Sequence, residues 1–162
     1  IIFCADPRNK KIGNKLICKS KELEKLNDFI EIDEKKYHEI LIQNTVPLSH
    51  FDLEENKSLL LENNFENLNS ISWDKGCYVG QEITARMKYR ALLKKRIYSL
   101  SVKEGTPKAE QAIKDDENNY GKIINVENNS MLAMLNIELA ESKINEQKKI
   151  KTNDGLVLEF IV

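Results

Sequence analysis

Cysteine is scarce in this 162-residue chain: Cys4, Cys18 and Cys77 are odd in number and lie far apart. No Cys-x-x-Cys pair or neighbouring histidine accompanies them, which argues against a disulfide framework and against a zinc or iron–sulfur ligand set, so no metal is expected. Long apolar runs are missing too. Nothing approaches the roughly 18 residues of a membrane span, and the start lacks the charged-then-apolar grading of a signal peptide. The expectation is a soluble, cytoplasmic protein with no membrane partner. An excess of one charge is also absent, with 25 Lys and Arg against 26 Asp and Glu. That balance speaks against a general nucleic-acid binder, while local basic clusters remain open. His38 and His50 stand in no pattern that offers Cys77 a base.

What is present is concentrated in Lys75-Gly76-Cys77-Tyr78-Val79-Gly80-Gln81-Glu82 and the basic segment after it. Gly76 and Gly80 permit backbone conformations closed to other residues, so the loop between them can present Cys77 and Tyr78 at a tight turn. From Gly80 the spacing predicts a helix, with Val79, Ile83 and Met87 on one face and Glu82, Arg86 and Arg90 as a charged stripe on another. A helix start and nearby cations lower a thiol pKa, which makes Cys77 the leading candidate for a reactive group. The competing reading is a small buried hydrophobe, and Cys4 and Cys18 are assigned to it. Lys75, Gln81 and Glu82 offer an ammonium donor, an amide and a carboxylate to a polar ligand. Glu82 serves equally well as a first-turn partner of the helix dipole and of Arg86. Arg86, Lys88, Arg90, Lys94, Lys95 and Arg96 crowd into one stretch beside Tyr89. That suits a polyanion, though a solvated face is the commoner meaning of such a run.

Around this stretch the chain reads as α+β. Ile1 to Cys4 is expected as a buried strand ended by the turn Asp6-Pro7-Arg8-Asn9, with Arg8 placed at a strand end where it can point into a pocket. Lys15 to Lys19 is a second strand. Ser20 is expected to cap a helix carrying Leu23, Leu26 and Ile30, and Asp33 a second one carrying Tyr37, Ile40 and Leu41, stopped by Pro47. Both are expected to cover a sheet. Residues 48–72 look irregular. After Arg90 the period becomes two, and turn residues separate strands near 97–102, 121–126, 131–135 and 156–162. The division falls at Ala91 or Leu92. Residues 1–91 form an α+β portion and 92–162 a small antiparallel β-barrel or sandwich.

Lys75 to Glu82, with Ala85-Arg86 and Tyr89-Arg90, resembles the signature of the YgfZ family of folate-binding proteins, a branch of the glycine-cleavage T-protein superfamily. Asp6-Pro7-Arg8 with Gly13, the stretches 37–47 and 60–72, and Lys94-Lys95-Arg96 are similar as well. Thr45 and Ala91 stand where that family commonly has glycine. The resemblance implies a partial folate-binding α/β region followed by a β-barrel, in a chain that begins within the fold or is one piece of a split protein with a separate N-terminal half. It implies tetrahydrofolate as cofactor, with Tyr78, Gln81, Glu82, Arg86, Arg90, Asp6 and Arg8 on the binding side. Cys77 and Lys75 are the functional pair that it carries over. The implied role is accessory to iron–sulfur cluster assembly or repair, including support of tRNA-modifying iron–sulfur enzymes, with iron–sulfur enzymes or assembly factors as partners. The alternatives are a folate-dependent aminomethyltransferase of the T-protein type and a nonfunctional remnant.

Overall fold

The computed structural model describes residues 1–26, 29–90 and 92–161. Its largest element is an antiparallel sheet of six strands: β3 (Lys95–Glu104), β4 (Ala112–Lys114), β5 (Asn119–Glu127), β6 (Ser130–Asn136), β7 (Ile150–Lys151) and β8 (Val157–Phe160), numbered after an N-terminal pair β1 and β2. They run in the order β4-β5-β6-β3-β8-β7. The two edges meet at one end, where the Asn153 N–H donates to the Lys114 carbonyl at 3.2 Å and the Gln111 amide donates to Asp154 at 2.6 Å. The sheet is thus a nearly closed barrel, which leaves little unpaired edge exposed.

The alternation read in the sequence has its cause in the barrel interior. Leu100, Ile113, Ile123, Met131, Leu135 and Leu158 are fully buried there, around Tyr120. The Tyr120 hydroxyl donates to Asp115 at 2.8 Å, so its polar end is satisfied. Asn128, at φ 54, makes the two-residue turn between β5 and β6. The short strands β4 and β7 and the helix α3 (Ile137–Asn145) add to the expected set. Asn136 ends β6 and at once caps α3, its side chain accepting from the Leu139 N–H at 3.2 Å.

The first ninety residues hold β1 (Ile2–Ala5), β2 (Asn14–Ile17), α1 (Glu34–Gln43) and α2 (Gln81–Tyr89). The hairpin β1–β2 forms as read, with Phe3 opposite Leu16 and Cys4 opposite Lys15. Its expected burial does not. Every residue of both strands is exposed among the described residues, because this two-stranded sheet has no covering layer. Cys4 is likewise exposed rather than packed. The helix expected from Ser20 is a 3-10 segment, Ser20–Leu26, in which Leu23 is exposed; Ile30, beyond its end, is exposed as well, so neither of these two residues covers a sheet. Residues 27 and 28 of that expected helix, residue 91 at the expected boundary and residue 162 of the last strand lie outside the described residues.

Asp33 caps α1 as expected, accepting from the Lys36 N–H at 2.7 Å. The helix stops before Pro47 by a different device. The Thr45 N–H donates to the Ile42 carbonyl and the Val46 N–H to the Leu41 carbonyl, both at 2.9 Å, and Thr45 takes φ 54. This is a Schellman termination, completed by the apolar contact of Val46 with Leu41 in a small core shared with Leu68. α1 packs on β5 and β6. Gln43 donates to Ser130 at 3.0 Å, and buried Asp52 accepts from Asn125 at 2.7 Å. The irregular stretch joins the barrel directly, because the Ile97 N–H donates to the Glu62 carbonyl at 2.8 Å.

Candidate functional site

α2 carries the glycine-bracketed cysteine. Its N-cap is Gly80, at φ 87 and ψ −4, a left-handed conformation that side chains with a Cβ rarely adopt. Gly76 differs: its φ lies outside that region and a Cβ there would meet nothing within 4 Å. The two glycines are therefore not equivalent, and only Gly80 is required by backbone shape. The Gln81 N–H donates to the Tyr78 carbonyl at 3.1 Å, which closes the turn after Cys77. Cys77 is exposed at this turn.

The Lys75 ammonium lies over the Tyr78 ring, 4.4 Å from its centroid, against the aromatic face of the residue that follows Cys77. Glu82 pairs with Arg86 at 2.6 Å, the i,i+4 arrangement expected from their spacing. Gln81 is half-buried at the first helical position, and Arg90 is the exposed C-cap. The apolar face differs from the one read in the sequence. Met87 is buried together with Thr84, whereas Val79 is fully exposed and Ile83 is 59% exposed. The burial stripe is turned toward Thr84, with Met87 common to the expected and the observed face.

That face is fixed by Lys88 and Tyr89 together with Trp73 and Glu66, to which sequence reasoning gave no role. Trp73 Nε1 donates to Glu66 at 2.9 Å, and Lys88 pairs with the same carboxylate. The Lys88 ammonium also sits 4.2 Å from the Trp73 ring centroid, and Tyr89 meets that ring edge-on at 5.9 Å. The one signal in the sequence was the lone tryptophan, four positions before Cys77.

Asp6 and Arg8 form a separate network at the end of the hairpin. Asp6 is 2% exposed and takes Arg8 in two side-chain bonds of 3.0 and 2.8 Å, with the Arg8 N–H at 2.9 Å. The Arg8 guanidinium holds the Asp6 carboxyl down at about 2 and is itself raised above its ordinary value by that carboxylate. Arg8 reaches Tyr37 at 3.4 Å, and Asn69 donates to the Pro7 carbonyl at 3.1 Å. Among the described residues no hydrogen bond or ion pair joins this network to the Cys77 turn. Both touch the 59–70 loop, the one through Asn69 and the other through Glu66.

A reduced pterin is held by apolar walls around its ring, with a few convergent polar groups. Residues 75–90 present instead an outward turn and helix face with Cys77, Val79 and Ile83 in solvent. By themselves they do not enclose such a ring. A cleft of about 260 Å³ lies elsewhere, between the 51–63 loop and the barrel, lined by Asp52, Glu62, Lys95 and Lys122. Burial pushes the Asp52 carboxyl there above its ordinary value, against the bonds from Leu48 and Asn125.

No family model matches the chain. It is similar to the mitochondrial iron–sulfur cluster assembly factor IBA57 homolog of Dictyostelium discoideum, 33% identical over 105 residues, which are 61% of this chain and 26% of that protein. Against human mitochondrial IBA57 the identity is 30% over 106 residues, 65% of this chain and 30% of the relative. The tRNA-modifying protein YgfZ of Aliivibrio fischeri strain MJ11 is 49% identical over 51 residues, 31% of this chain and 16% of that protein. The matched stretch thus spans less than a third of each relative. Relatives of both names, IBA57 and YgfZ, are thus homologues of this chain over part of its length.

Proposed function

We propose that this protein is an accessory factor in iron–sulfur cluster assembly or repair, supporting among others the iron–sulfur enzymes that modify tRNA, with Cys77 as its reactive thiol. The observation that carries the reading is the exposed Cys77 at a turn whose shape Gly80 enforces, mounted on a helix that Trp73, Glu66 and Lys88 hold in place. A buried packing cysteine needs no such mount. An exposed thiol serves as a soft ligand for iron and as a nucleophile. One thiolate cannot complete the ligand set of a cluster, so the role that fits is brief engagement of a cluster carried by another protein. The names of the relatives point the same way. This thiol chemistry requires no folate turnover, in keeping with the open face around Cys77.

The test is complementation in cells lacking their own family member. Wild-type chain is expected to restore the activity of an iron–sulfur dehydratase and of a radical tRNA-modifying enzyme, and Cys77→Ala is expected to restore neither. Equal rescue by Cys77→Ala refutes the role of the thiol. No rescue by well-expressed wild-type chain refutes the function.

A further inference from the structure

The outer face of α2 combines two features that isolated helices on a surface seldom share. Thr84 and Met87 are buried, while Ile83, Arg86 and Arg90, at i, i+3 and i+7, form an exposed stripe beside them, and Val79 in the cysteine turn is exposed as well. The charge is lopsided as well. Residues 75–96 hold seven cations and only Glu82 as an acid, in a chain of net charge −1. Lys88 is neutralised by Glu66, Lys95 by Glu62 and Arg86 by Glu82. Lys75, Arg90, Lys94 and Arg96 form no ion pair among the described residues.

We infer that this face is a docking surface for an acidic protein segment, whose apolar side chain seats on Val79 and Ile83 while its carboxylates meet Arg90 and Lys75. The inference rests on the function proposed above, and names the chemistry of the partner that is brought to Cys77. Charge complementarity supplies the occupant: a strongly cationic patch around an apolar centre suits carboxylates flanking an apolar anchor. Nucleic acid fits less well. Of the aromatic rings on which bases would stack, Tyr78 is faced by Lys75 at 4.4 Å and Trp73 by Lys88 at 4.2 Å, which leaves Tyr89, 70% exposed and edge-on to Trp73, as a single platform where a strand needs several. A phosphate backbone gains nothing from Val79 and Ile83. Two helical turns are also a smaller footprint than the roughly 800 Å² per partner of a stable complex, so the contact is a transient one.

The test uses the 162-residue chain and a fluorescein-labelled helical peptide of Glu with Leu at every third or fourth position, read by fluorescence anisotropy. Saturable binding is expected that weakens with salt. Arg90→Glu and Ile83→Asp are each expected to weaken it about tenfold. Lys57→Glu, an exposed charge reversal elsewhere, should leave it within about twofold. Trp73 emission confirms that each variant keeps α2 docked. Single-stranded RNA of equal charge is expected to bind at least about tenfold more weakly than the peptide. The inference is overturned if RNA binds as tightly as the peptide, if Lys57→Glu costs as much as Arg90→Glu, or if no peptide binds at about 1 mM. Because no iron–sulfur enzyme is present, failure here leaves the Cys77 complementation result standing, and failure there leaves this result standing.

Discussion

Replacing Thr45 with glycine should stabilise the protein, although it deletes a side chain from a half-buried position. Thr45 is the left-handed residue of the Schellman motif that ends α1, at φ 54. Its N–H and that of Val46 satisfy the Ile42 and Leu41 carbonyls, so the conformation is fixed by the helix end rather than chosen by threonine. A left-handed L-residue costs about 1–2 kcal/mol, and a β-branched side chain stands at the upper part of that range. Glycine removes this strain but adds roughly 0.5–1 kcal/mol of unfolded-chain entropy. The net is a gain of about 1 kcal/mol, or roughly 2–4 °C in Tm for a chain of this size. Urea unfolding followed by circular dichroism and by Trp73 emission measures it. Thr45→Asn should fall between the two, because asparagine tolerates this conformation better. A Thr45→Gly variant equal to or less stable than wild type, with an unchanged m-value, refutes the reasoning.

The two glycines around Cys77 should respond differently: Gly80→Ala is expected to cost about 1–2 kcal/mol, through its φ of 87, while Gly76→Ala is neutral or slightly stabilising by denaturant titration. Asp6 is depressed to about 2 in the fold from 3.8, so its contribution of about 2 kcal/mol is complete above pH 4 and is lost as the pH falls toward 2. Arg8→Ala should remove most of that contribution above pH 4 and flatten the loss of stability between pH 4 and 2 in a pH-dependent unfolding series, while an unchanged pH dependence would show that the pair contributes nothing. Glu66→Ala leaves the Trp73 N–H without its acceptor, and should shift Trp73 emission and destabilise by about 1 kcal/mol.

The barrel was the most legible part of the sequence, since its strands alternate apolar and polar residues and its turns are written in Asn, Asp and Gly. Helix α3 escaped notice because Asn136 ends a strand and caps a helix with no turn residue between them. The hairpin at Ile2–Ala5 was legible as a strand but not as an exposed one, because apolar composition states a preference for burial and not the presence of a covering layer. At the candidate site, the Gly80 cap and the Glu82–Arg86 pair follow from local spacing, and so could be read. The rotation of α2 could not. It depends on Glu66 meeting Lys88 across 22 positions, a contact no periodicity announces.

The bonds that seat the early residues on the barrel span long stretches of chain, 87 positions for Gln43 to Ser130 and 73 for Asp52 to Asn125. During synthesis, α1 and the 48–72 stretch emerge before the strands that they pack on exist. At about 5–20 residues per second, the last seventy residues take roughly 4–14 s to follow. Over that interval the side of α1 that packs on β5 and β6 has no barrel to rest on. Order of birth therefore makes α1 dependent on whatever shelters nascent chain until the barrel closes.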